Sequence, residues 1–248
     1  MDGDDRPPVG TFFVDAALAS GTTASLDESA AHHARVKRLS EGDPVRLTNG
    51  AGVLGSGFLR AVKRADVLVD VTSIEEVPRP AEIRLRVPVA DRDRMLWLSE
   101  KATELGVTSW QAVRFRRSQS VSPRGEGPAF AAKLRARMVS ALEQSGGAWL
   151  PRLQADVAVD LLPVEHDTLS IVLDAAGPPM LSAIDHASRE AASALLIGPE
   201  GGIERAELSA LTDQGWRVAS LGATTLRFET AAIAAIAVMR AALQRDPR

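Results

Sequence analysis

Leu195-Leu196-Ile197-Gly198-Pro199-Glu200-Gly201-Gly202 is the stretch on which the reading of this chain turns. An apolar run enters a loop with three glycines in five residues, and a segment carrying Glu204 and Glu207 follows at helical spacing. Glycines at the C-terminal end of a strand let a ligand approach bare backbone amides, and the start of the next helix favours negative charge. A tight turn needing positive φ would use the same glycines. The loop is neither a Walker A sequence nor GxGxxG, so it gives no support to a phosphate cradle. A nucleotide-like or carboxylate-bearing ligand fits it better.

A second loop follows the same logic. Leu221-Gly222-Ala223-Thr224-Thr225-Leu226-Arg227-Phe228-Glu229-Thr230-Ala231 closes a strand and opens a long helix. Arg227 and Glu229 fall at that junction, as a functional pair or as a helix cap with a local ion pair, since Glu in a first turn suits the dipole. The helix continues AAIAAIAVMRAAL, small and apolar around nearly its whole circumference. Such a helix must be buried on several sides, against its own sheet and a second subunit.

Further upstream, strands alternate with helices from residue 83 onward. Ile83–Ala90, Trp110–Phe115, Ser170–Leu173, Ala194–Ile197 and Arg217–Leu221 read as strands. Arg94–Leu105, Phe130–Gln144, Glu204–Gln214 and Glu229–Leu243 read as helices. That alternation predicts a largely parallel sheet covered on both faces. The first 77 residues differ: short β-leaning segments at Thr11–Val14, Pro44–Asn49, Val53–Val62 and Val67–Ile74 surround one helix, Ser29–Leu39. A small β-barrel with one helix fits, and Asn49-Gly50 marks a tight turn. Val77-Pro78-Arg79-Pro80 is a stiff break, so the expected domains are 1–77 and 78–248.

The 248 residues are 45% hydrophobic and 25% charged, a globular balance that excludes a disordered or fibrous chain. No cysteine is present, which excludes a disulfide framework, zinc ribbons and thiol nucleophiles. Four histidines leave little material for a metal site, and none is expected. Tyrosine is absent, so any base stacking falls to Phe and Trp. The acidic start, MDGDDRPP, has no apolar stretch and reads as no signal peptide. The apolar run Ala231 to Met239 is far below the ~18 residues of a membrane span. A soluble, cytoplasmic protein is expected.

A net charge of −3 argues, taken whole, against a nucleic-acid partner. Divided, it argues the other way. Residues 1–78 hold 8 basic and 12 acidic side chains, residues 79–150 hold 13 and 7, and residues 151–248 hold 8 and 13. Eleven of the thirteen central bases are Arg, the side chain that forks onto phosphate. Within the acidic first part, Arg35, Lys37 and Arg38 still cluster on one helix. Each cluster is either a solvated face or the footprint of an anionic partner.

These motifs together resemble the RsmE family, SPOUT-class enzymes that methylate N3 of a uridine in 16S ribosomal RNA using S-adenosyl-L-methionine. LLIGPEGG with Glu207 downstream, and LG followed four residues later by R-F-E-T-A, are similar to that family's two signature loops. His32-His33-Ala34-Arg35-Val36-Lys37-Arg38-Leu39 resembles its PUA-like-domain helix. Glu100-Lys101-Ala102-Thr103-Glu104-Leu105-Gly106-Val107 and Glu143-Gln144-Ser145 match two further segments, so five blocks span about residues 11–243. The sequence departs in Glu204 for Ser or Thr, in Phe228 for a hydroxyl residue, in Thr224-Thr225, and in lacking an Arg soon after Ser145. Glu is a poor N-cap, so the helix after Glu204 is expected to start weakly.

The resemblance implies a PUA-like β-barrel followed by a trefoil-knotted α/β methyltransferase domain, working as a homodimer on the small ribosomal subunit. It implies that Leu173, Ile197, Gly198, Pro199, Glu200, Gly201, Gly202, Leu221, Gly222 and Leu226 hold the cofactor. Arg227 then stabilises charge developing on the base, with Glu229 as its orienter or as general base, and Glu200 as the second carboxylate. RNA phosphates fall to Arg35, Lys37, Arg38, Arg114, Arg116 and Arg117. Two rivals share these loops: a SPOUT enzyme methylating a ribose 2′-oxygen, and an RNA-binding assembly factor that has lost activity.

Overall fold

In the computed structural model, residues 6–63, 67–118, 124–164, 166–184 and 192–243 are described. The chain divides into two compact units, residues 1–79 with 139–150, and residues 80–138 with 151–248.

The first unit is built on five strands and a helix. They are β1 (Thr11–Phe13), β2 (Thr23–Leu26), α1 (Glu28–Val36), β3 (Pro44–Thr48), β4 (Val53–Val62) and β5 (Val67–Glu76). They form one sheet in the order β1-β3-β4-β5-β2, antiparallel except for β1 beside β3. Its core gathers Phe12, Leu47, Leu59, Val67 and Val69 with Ala31 and Ala34 of α1. At the β3–β4 turn, the Asn49 carboxamide oxygen accepts from Ala51 and Val53 N–H at 2.8 and 3.0 Å, and Gly50 takes φ +65°. This is the reason Asn-Gly marks that turn. β2 was not expected, because GTTASL reads as a turn cluster; pairing with β5 makes it an edge strand.

The helix α3 (Pro128–Ser145) contributes its last turns to this unit. There Glu143 accepts the Phe13 N–H at 2.8 Å, and the Thr48 hydroxyl donates to the Gly147 carbonyl. Gly52, at φ +98°, lies under Trp149, so close that an added Cβ would stand 2.4 Å from the indole.

The second unit carries β6 (Ile83–Pro88), α2 (Arg92–Glu104), β7 (Ser109–Arg114), β8 (Arg152–Leu153), β9 (Val157–Ala158), β10 (Thr168–Leu173), α4 (Met180–Ala183), β11 (Ala192–Ile197), α5 (Arg205–Asp213), β12 (Arg217–Ala219) and α6 (Phe228–Leu243). The strand order is β12-β10-β11-β6-β7-β8, with β9 also on β7, and every pair is parallel. Near-continuous apolar strands such as Ala194-Leu195-Leu196-Ile197 are fully buried, as a sheet covered on both faces requires. Sequence boundaries move by a few residues. The strand expected at Arg217–Leu221 ends at Ala219, because Ser220 turns aside to pair with Pro178 and Met180.

α6 buries Phe228, Glu229, Ala232, Ala235, Ile236 and Met239 against α2, β6 and β11. Ile233, Ala234 and Val238 are only half-buried and Ala237 is exposed. Near its end, Arg240 donates to the carbonyls of Leu105 and Gly106, closing the C-terminus of α2. Cations suit that end of a helix, although burial pulls the Arg240 pKa down. No helix among the described residues is long and apolar enough to cross a membrane.

Candidate functional site

β12, β10 and β11 are neighbours in the parallel sheet, so their C-terminal ends open side by side. Ligands of parallel α/β sheets bind at that edge, where loops leave the strands. A cleft lies there, formed by the loop after β10, the glycine loop after β11 and the segment between β12 and α6. Its walls include Leu173, Ile197, Gly198, Pro199, Glu200, Gly202, Leu221, Gly222 and Leu226, nine of the ten residues expected to hold a cofactor. Sequence reasoning missed Asp174, Ser220 and Phe228, which also line it. Asp174 and Ser220 sit one residue beyond short strands whose ends the sequence blurs.

The glycines have distinct reasons. Gly198 packs under Ile203, and a Cβ there would meet its side chain at 2.7 Å. Gly202 adopts φ +74° and donates its N–H to the Pro199 carbonyl, closing a tight turn. Gly222, at φ +138°, has open space where a side chain would project. Backbone conformation therefore requires glycine at both Gly202 and Gly222, and at Gly222 it also leaves the cleft side open. Gly201, the tenth expected residue, is not part of the cleft wall: its carbonyl accepts Arg117 Nη1 at 2.8 Å.

Glu229 does not pair with Arg227. It is buried, and the Arg94 guanidinium grips it bidentately, Nε to Oε1 at 3.0 Å and Nη2 to Oε2 at 2.7 Å. The expectation that Glu229 orients Arg227 is corrected by helix geometry. Residues two apart near a helix start do not face each other, so Glu229 turns inward while Arg227 stays exposed. Arg94 also meets Glu200 Oε1 at 2.6 Å, and its guanidinium carbon lies 4.9 Å from the centre of the Phe228 ring. The hydrogen bonds Arg94 donates to Glu229, reinforced by Glu200, raise the Arg94 pKa above its ordinary value. The Asp91 cap holds Arg94 in the first turn of α2, its carboxylate accepting the Arg94 N–H at 3.0 Å. No local signal announced this residue, because its partners lie more than a hundred positions downstream.

The basic residues divide between the units. Arg35, Lys37 and Arg38 stand exposed around the C-terminal end of α1. Arg38 takes φ +56°, and Leu39 N–H reaches back to the Ala34 carbonyl. That left-handed position ordinarily belongs to Gly, which would be favoured by about 1 kcal/mol. In the second unit, Arg114 is exposed at the end of β7, and Arg116 and Arg117 follow it. Both approach Glu204 at 3.8 Å. Glu207 accepts the N–H of Glu204 at 3.0 Å and that of Arg116 at 2.9 Å. The start of α5 is thus held by Glu207 despite a Glu at the cap, contrary to the weak start expected. No group of three or more His, Asp or Glu among the described residues could hold a metal ion.

The chain matches the model of the RNA methyltransferase domain over residues 77–240 and that of the RNA methyltransferase PUA domain over residues 26–71. It is 30% identical over 239 residues to the ribosomal RNA small subunit methyltransferase E of Mycobacterium bovis, covering 91% of this chain and 88% of the relative. The protein of the same name from Bacillus subtilis is 27% identical, with 90% and 91% covered. The crystal structure of a ribosomal RNA small subunit methyltransferase E from Neisseria gonorrhoeae, bound to S-adenosyl methionine, superimposes with a TM-score of 0.80 at 26% identity, covering 94% of this chain and 97% of that one. A fold shared over nearly the whole length and two matched domains in the same order lead to one conclusion: this chain belongs to the RNA methyltransferase family of the ribosomal RNA small subunit methyltransferases E.

Proposed function

We propose that this protein methylates N3 of a uridine in 16S ribosomal RNA of the small ribosomal subunit, with S-adenosyl-L-methionine as donor. The observation that carries the reading is the cleft at the ends of β10, β11 and β12, where the residues of both signature loops converge. Its composition suits the cofactor. Leu173, Ile197, Ile203, Leu226 and Phe228 offer apolar surface to the adenosine, and Gly222 leaves room at the backbone. Asp174 and Glu200 offer carboxylates to the cationic sulfonium and ammonium groups. When bound, the cofactor supplies an electrophilic methyl on sulfur.

The protein's part is positioning and electrostatics. Uridine N3 must lose its proton before it can attack. Arg227, exposed beside the cleft and facing no carboxylate among the described residues, is placed to stabilise the negative charge that then develops. Glu229 has both oxygens taken by the Arg94 fork and does not line the cleft, so it is not placed to take that proton. Glu200 lines the cleft with a side chain 53% exposed, so it is the carboxylate placed to take the proton. Arg35, Lys37, Arg38, Arg114, Arg116 and Arg117 hold the RNA through phosphates. An Arg kept where Gly would be more stable, as at Arg38, supports that role.

The half-buried apolar side of α6, with Trp97 of α2 also 48% exposed, supports a homodimer. The knotted threading of the second unit is carried over from the family resemblance alone, and the substrate implies a cytoplasmic location. The first unit is read as the RNA-holding PUA-like domain and the second as the catalytic one. The test is methylation of purified small subunits by the recombinant protein, with modified nucleosides read by mass spectrometry. N3-methyluridine is expected; a 2′-O-methyl product or no product overturns the reading. Arg227→Ala is expected to slow turnover about 10²–10³-fold while cofactor binding persists.

A further inference from the structure

We infer that Arg94 is a positioning residue of this site, a single guanidinium that clamps the glycine loop after β11 to the first turn of α6; the inference rests on reading the cleft as a methyl-transfer site. Arg94 does not line the cleft, yet it touches three residues on or beside its walls. Glu200 comes from the loop after β11, and Phe228 and Glu229 open α6. Its two carboxylate contacts are unequal in a way that shows what each is for. Glu229 has a side chain only 11% exposed and receives both arms of the fork, as a buried carboxylate must. Glu200 has a side chain 53% exposed, so water could solvate it and burial does not require the pairing. Its contact with Arg94 therefore acts on position: it draws a glycine-rich loop, intrinsically free to move, onto an element fixed in the core.

Arg94 suits this task because a planar guanidinium offers donors in fixed directions, two to Glu229 and one of them shared with Glu200. Its flat face rests near the Phe228 ring, which lines the cleft. The Asp91 cap anchors the helix turn from which it projects. On its other side, Arg94 borders an open cavity with Asp93, Trp97 and Glu229, so the clamp is reachable from solvent rather than sealed in the core.

The test is calorimetric titration of the full chain with S-adenosylmethionine, comparing wild type with Arg94→Met, Arg94→Lys, Glu200→Gln and the Arg94→Met/Glu200→Gln pair. Arg94→Met is expected to raise Kd about tenfold, and Arg94→Lys to regain most of that. Because Glu200 also faces the cofactor's cationic groups, the pair is expected to bind more weakly than Arg94→Met alone but clearly less weakly than the product of the two single losses, since both changes break one coupling. A purely structural Arg94 would instead give losses that multiply, and that result, or wild-type affinity in Arg94→Met, overturns the clamp. If Arg94→Met does not fold, because Glu229 is left charged and buried, Arg94→Met/Glu229→Gln removes the orphan charge and should show the same tenfold loss. Wild-type affinity in that variant also overturns the clamp. Failure of the wild-type protein to bind the cofactor would remove the proposed function itself, and the clamp with it.

Discussion

Glu229 is buried and Glu143 partly so, and the two acids are stabilised by different means. Glu229 has a guanidinium on both oxygens. Glu143 accepts one backbone N–H, from Phe13; burial, helped by nearby Asp27, pushes its pKa above the ordinary value, and the Phe13 bond and, less, Lys37 offset part of the effect. An acid whose pKa is raised on folding holds its proton more tightly in the native state. Its favourable contribution is complete below the ordinary value of 4.5 and is lost as pH rises through the folded value. Glu143→Gln keeps an oxygen for Phe13 and removes the charge. Its Tm is expected to exceed that of wild type at pH 7, with the gap closing as pH falls through the raised folded value and closed below 4.5. An equal or lower Tm at pH 7 in thermal melts would contradict this. The Glu143-Gln144-Ser145 motif was legible as a family signature, but the task of its glutamate, tying α3 to β1, was not.

At the scale of elements, the strands of the first unit depend on glycine where backbones crowd. The register of β4 against β5 shifts between Ser56 and Gly57, and a Cβ on Gly57 would stand 2.2 Å from the Asp70 carbonyl oxygen. The atom in the way is backbone and cannot swing aside. Gly57→Ala should therefore cost about 1–3 kcal/mol, read as a lower urea midpoint with an unchanged slope. Alternation in Ile83-Arg84-Leu85-Arg86 marks β6 as a strand but does not say which of its arginines is covered. Only Arg84 is partly exposed; Arg86 is buried, its guanidinium 5.4 Å from the Trp216 ring centre. A central parallel strand is covered on both faces, so period-two patterning cannot separate inside from outside there. The same limit hid β8 and β9, two residues each, which exist only because β7 offers a free edge.

For the whole molecule, charge is the property that links fold to substrate. The central stretch of 13 bases against 7 acids contributes Arg114, Arg116 and Arg117, and the otherwise acidic first part contributes Arg35, Lys37 and Arg38. If all six meet phosphates, the logarithm of RNA affinity should fall with the logarithm of salt at a slope of about −4 to −5, from roughly −0.7 to −0.9 per contact. Filter binding across salt concentrations would check it, and a flat profile would exclude phosphate-led binding. Arg117 already serves the Gly201 carbonyl and lies near Glu204, so Arg117→Ala should change the slope less than Arg114→Ala. What the sequence by itself determined was local: the alternation of strands and helices, the Asn49-Gly50 turn, the two glycine loops and the segregation of charge. Each depends on residues a few positions apart. Only the tertiary structure decided which strand ends lie together, that Glu229 answers to Arg94, and that Gly201 faces Arg117. Those pairings join residues tens to more than a hundred positions apart, and the parallel order β12-β10-β11-β6-β7 is what brings them within hydrogen-bonding reach.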